Sequence, residues 1–98
     1  LKKQVMAQVN LETNPDYKIG AFGGVEDLTI LLTNNSNEAL NHVAVRVNFY
    51  NQNRKSVRTQ NLSFYNVNAG EAKKLEVPKS NRGVEFSVEL VAVELAKE

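Results

Sequence analysis

The chain predicts an all-β fold, an antiparallel sandwich of about seven short strands, and three observations carry that expectation. Apolar and polar residues alternate over Asp27 to Asn34 and again over Asn41 to Tyr50. Turn signals recur every roughly 8 to 12 residues, the rhythm of sandwiches and small barrels. No stretch repeats apolar residues at helical spacing over three turns. A period of two places Leu28, Ile30 and Leu32, then Val43, Val45, Val47 and Phe49, on one buried face. The run Asn34-Asn35-Ser36-Asn37-Glu38 between the two stretches is the turn of a hairpin-like unit.

The remaining elements follow in chain order. Gln4 to Leu11 reads as a first strand, with Val5, Ala7, Val9 and Leu11 on one face. Thr13-Asn14-Pro15-Asp16 is a turn, because Pro fixes its own φ and biases Asn14 away from the helical region. Tyr17 to Phe22 reads as a short edge strand. Gly20, Gly23 and Gly24 then mark a bulge or crossover with Phe22 as its plug, since no helix follows to make a phosphate-binding loop. Past the central pair, Asn51 to Lys55 is a tight turn in which Asn53 suits the left-handed conformation.

Ser56 to Val67 is the next strand. Its apolar residues change register between Val57 and Leu62, which predicts a bulge near Gln60 and Asn61. Ala72 to Val77 turns Leu75 and Val77 inward, and Pro78 ends the ladder. From Val84 the residues Val84, Phe86, Val88, Leu90 and Ala92 alternate with polar ones. Val91, Val93 and Leu95 form a second apolar set, so the end of this strand is either covered on both faces or shifted by a bulge. The size and strand count match an immunoglobulin-like or fibronectin-like sandwich, without the Cys…Trp…Cys core of antibody domains.

Composition narrows the role. A chain of 98 residues can bury about two thirds of its unfolded surface in one domain. With 42% hydrophobic residues, 23% charged residues and a net charge of +1, nothing here attracts a phosphate backbone, so nucleic acid is not an expected partner. Cysteine is absent, which removes disulfides, thiolate metal sites and a cysteine nucleophile. No apolar run reaches the roughly 18 residues of a membrane helix, and no membrane insertion by this segment is expected. The opening Leu1-Lys2-Lys3 reads as a piece of a longer protein.

Leu31-Leu32-Thr33-Asn34-Asn35-Ser36, then Val43-x-Val45-x-Val47-x-Phe49-Tyr50-Asn51, then Val67-x-x-Gly70-Glu71 resembles the FxLYD-type immunoglobulin-like domains of bacterial envelope proteins. In that family an Asn-bearing strand precedes one ending in Phe-x-Leu-Tyr-Asp, and a Gly-Glu turn follows. This chain departs from the signature, with Val47, Phe49, Tyr50 and Asn51 at its four positions. The match runs from Asp27 to Leu90. What it implies is a fold and an extracytoplasmic setting, periplasmic or at the cell surface, within a membrane-anchored or exported protein. It carries no catalytic residues.

Chemistry finds little support in the residues themselves. His42 is the only histidine, and a serine nucleophile has neither a base nor an elbow motif, so no enzyme activity and no cofactor are expected. His42 reads as an exposed strand-edge residue rather than a metal ligand. Asp16, Glu26 and Asp27 could meet at one end of the sandwich, but they lack the spacing of a calcium loop, and no metal site is expected. Arg54, Lys55 and Arg58, and separately Lys73, Lys74, Lys79 and Arg82, are interleaved with Glu71, Glu76 and Glu85 in the manner of solvated sheet edges. Asn34-Asn35-Ser36 and Asn61-Leu62-Ser63 are formal glycosylation sequons.

Phe49, Phe64 and Phe86 point inward by alternation. Tyr50 and Tyr65 follow inward-facing phenylalanines and so project outward, where they are the candidate partner-binding residues. The expected role is a non-catalytic structural or protein-interaction module whose edge strands or loops can join a partner's sheet. The alternative is a small-ligand or glycan-binding domain using Phe22, Tyr17 and Asp16 at its loop end. Neither partner identity nor oligomeric state is legible.

Overall fold

The computed structural model describes residues 1–96. A short helix α1 (Lys2–Met6) precedes eight strands: β1 (Val9–Thr13), β2 (Lys18–Ile19), β3 (Val25–Glu26), β4 (Thr29–Asn34), β5 (Leu40–Tyr50), β6 (Ser56–Val67), β7 (Ala72–Glu76) and β8 (Glu85–Leu95). They form two three-stranded antiparallel sheets, ordered β1-β4-β7 and β6-β5-β8, and a two-stranded ribbon β2-β3. The fold is therefore the all-β sandwich expected, with eight strands in place of seven.

The central strands supply the core. Ile30 and Leu32 of β4 and Val43, Val45, Val47 and Phe49 of β5 are all sealed from solvent in one cluster. Each alternates with half-exposed residues along its own strand, so the period of two in the sequence is the period of burial. At roughly 25 cal/mol per Å² of apolar surface, such clusters are the main favourable term in folding.

Several local expectations are corrected. Lys2–Met6 is a helix rather than the start of a strand, and its one buried residue, Val5, caps the core at the end where Leu40 and Leu95 meet. Short apolar runs cannot separate helix from strand by periodicity, and tertiary packing decides here. The strand expected over Tyr17 to Phe22 shrinks to Lys18–Ile19, paired with Val25–Glu26. Gly20 to Gly24 forms the tip of that hairpin, and Phe22, far from plugging anything, is fully exposed.

At the Asn51 turn the positive φ falls on Arg54 (61°) and not on Asn53. The Asn51 side chain explains this, because its Oδ1 accepts from the backbone N–H of both Asn53 and Lys55 and wraps the turn around itself. No bulge lies at Gln60 or Asn61, where pairing runs unbroken from His42↔Tyr65 to Phe49↔Arg58. The shift comes between Phe49 and Tyr50, which lets Val57 turn into the core. In β8 the bulge alternative holds. Ala44 pairs with Ala92 and Val45 with Leu90, leaving Val91 unpaired and exposed while Val93 and Leu95 turn inward.

Candidate functional site

The outer face of the β6-β5-β8 sheet carries both tyrosines. Tyr65 of β6 is 61% exposed and stacks on His42, with ring centroids 5.2 Å apart. Tyr50 at the other end of β5 is half-buried, its hydroxyl 3.0 Å from Ser87 Oγ. From His42 to Tyr50 the strand advances about 27 Å at roughly 3.4 Å per residue, so the two tyrosines share a face but not a patch. Between them Arg46 Nη1 lies 3.3 Å from Glu89 Oε1, Asn48 donates to the same oxygen, and Thr59 Oγ1 donates to Asn48 Oδ1. These polar side chains satisfy one another across three strands.

The expectation for His42 is corrected. The residue lies on the central strand rather than an edge, half-buried, with Nε2 2.7 Å from Ser63 Oγ.

The loop end does not assemble the alternative site. Tyr17 turns inward and meets Phe86 edge-on at 4.8 Å, while Phe22 points into solvent. Glu26 and Asp27 are matched by Lys79 (3.4 Å) and Lys18 (3.6 Å), and among the described residues no three acidic or histidine side chains gather to hold a metal.

What the loop end does possess is a tightly specified backbone. Gly23 N–H donates to Gly20 O, Gly20 N–H to Gly24 O and Gly24 N–H to Gly83 O, at 2.7 to 3.0 Å. A side chain at Gly20 would collide with Gly23 O at 2.6 Å, and one at Gly24 with Ser80 O at 2.8 Å.

Opposite this end, Asn34 forms a structural clip. Its Nδ2 donates to Glu38 O (2.8 Å) and Asn68 O (3.1 Å), and its Oδ1 accepts from the Ser36 amide and hydroxyl. The first sequon is thus part of the core and closed to a glycan in the folded chain. Asn61 of the second is exposed in the middle of β6.

The two open sides of the sandwich differ. On the β6/β7 side the register sets Arg58 and Gln60 on the inner side of β6, opposite Phe49 and Val47, and Lys73 on the inner side of β7, opposite Leu32. Lys73 Nζ crosses the gap to donate to Tyr65 O at 2.8 Å. Inward-pointing charge of this kind protects an edge from further pairing. On the β1/β8 side the inner positions of β1 hold Val9, Leu11 and Thr13, and those of β8 before its bulge hold Phe86, Val88 and Leu90, none of them charged and all but Thr13 apolar and partly buried. Sequence alternation showed these apolar residues but not which edges carry no charge, since that depends on register across strands far apart in the chain.

Comparison with family models, curated proteins and solved structures returns no match.

Proposed function

We propose that this chain is a non-catalytic structural and protein-interaction module of a bacterial exported or cell-envelope protein. The observation that supports this reading is the unequal treatment of the two sandwich sides: charge and a lysine bridge guard the β6/β7 side, while the inner positions of the β1/β8 side carry no charge. A sheet whose edges all needed protection in solution would guard both. The resemblance to FxLYD-type domains supplies the extracytoplasmic setting, and neighbouring domains or envelope proteins are the partners it implies. Tyr50 and Tyr65 stand as separate outer-face contacts, with Tyr65 the more available of the two.

Two experiments test the reading. The parent protein is fractionated from its native cell with an antibody to this domain, followed by protease treatment of intact cells and spheroplasts. Protection in the cytosolic fraction overturns the extracytoplasmic setting. A photo-crosslinking residue placed in turn at Tyr65, Phe22 and Ser87 should trap a defined protein species from at least one position. Failure at all three overturns the interaction role.

A further inference from the structure

We infer that the segment Glu85–Leu90 of β8 receives an extended strand from a partner protein, a strand that alternates apolar residues with lysine or arginine. This rests on the interaction-module reading and names the surface and partner chemistry within it.

β8 is an edge strand, hydrogen-bonded to β5 alone, and its first six residues run without a register shift up to Leu90. The bulge at Val91 ends that stretch, and beyond it α1 packs against the strand. Along Glu85–Leu90 the inner side is wholly apolar, with Phe86, Val88 and Leu90 opposite Phe49, Val47 and Val45. All three are only partly buried, although their partners on β5 are sealed. An added strand would complete their burial while its backbone satisfied the free edge, and main-chain bonds with alternating side-chain contacts are how strand addition gains affinity and selectivity.

The outer side decides which strand fits. Glu85, Ser87 and Glu89 lie there and are exposed; Glu89 already pairs with Arg46, whereas among the described residues Glu85 has no ion pair and is the charge left for a partner. Two copies of this chain paired about Ser87 would set Glu85 of each opposite Glu89 of the other, and directly opposed like charges destabilise a pair of strands. A strand with lysine or arginine on that face meets attraction instead. The devices that guard β6 and β7, Arg58, Gln60 and Lys73 on inner positions, have no counterpart on this segment.

The probe is a capped octapeptide of alternating Lys and Val, compared with a scrambled peptide of the same composition and with a Glu/Val counterpart. Amide hydrogen exchange of the isotopically labelled chain reads the outcome residue by residue. The Lys/Val peptide should slow exchange at least about tenfold at alternate amides within Glu85–Leu90 and leave Ser56–Val67 unchanged. Val88→Lys, which copies on β8 the inward charge of β6, should abolish that protection. Because Val88 is partly buried, Glu85→Lys serves as a second variant at an exposed position. It should weaken the Lys/Val peptide about three- to tenfold and strengthen the Glu/Val one.

Protection on β6, equal binding of the scrambled peptide, or no protection at millimolar peptide overturns the proposal. These outcomes are independent of the fractionation experiment, so the edge and the cellular setting can fail separately.

Discussion

The side chain of Asn34 is sealed from solvent with both of its polar atoms engaged, joining the end of β4 to the Ser36–Glu38 loop and to the turn at Asn68. Asn34→Ala leaves the buried Ser36 amide without its acceptor and takes one of two donors from each of Glu38 O and Asn68 O, so urea unfolding should show a loss of about 2–3 kcal/mol and thermal melting a fall of about 10 °C. Gly24→Ala should cost about 1–3 kcal/mol, because φ is +96° and the new Cβ meets Ser80 O. Phe22→Ser, at a fully exposed side chain, should leave the unfolding free energy within about 0.5 kcal/mol of the parent and expose any role of Phe22 in binding without a folding artefact. Residue identity alone signalled the turn at Asn34 but not the clip, whose partners lie four and thirty-four residues away. The inward turn of Tyr17 and the exposure of Phe22 were likewise illegible, because glycine density announces an unusual backbone without saying which way its neighbour faces.

At the scale of elements, alternation located β5 almost to the residue, since its period of burial is written directly in the residue order, while the turns on either side bounded the less regular β6. It failed at α1, where five residues are too few to display a period. It also misplaced the irregularity of β6, which belongs to the Phe49–Tyr50 step of its neighbour. Gln60 illustrates what an edge strand trades for protection. Its Oε1 is buried with no hydrogen-bond partner among the described residues, on the inner side opposite Val47. Gln60→Leu should raise stability by about 1 kcal/mol in chemical denaturation, because an unpaired buried oxygen is replaced by apolar contact. Light scattering of the same variant at high concentration should rise, because β6 then loses part of its guard. A variant that is more stable and no more prone to associate would show that Arg58 alone suffices.

At the scale of the whole molecule, the core is assembled from pairings that are distant in sequence, β5 with β8 and β4 with β7. Closing such loops before their contacts form is slow, and stopped-flow refolding should proceed in milliseconds to seconds, not microseconds. The same topology brings the two extremities of the described chain to one pole. Asn35 N–H bonds to Gln8 O and Ala96 N–H to Ala39 O, so the start of β1 and the end of β8 flank a single loop, while the Phe22 hairpin and the Asn51 turn occupy the opposite pole. Both β1 and β8 are edge strands. Tension applied between Gln8 and Ala96 therefore peels each from its sheet starting at Val9↔Asn34 and Leu40↔Leu95, rung after rung, instead of shearing whole ladders at once. Mechanically the fold yields to a pull at this pole one rung at a time, so its resistance to such a force is that of single hydrogen-bonded pairs and not of whole ladders.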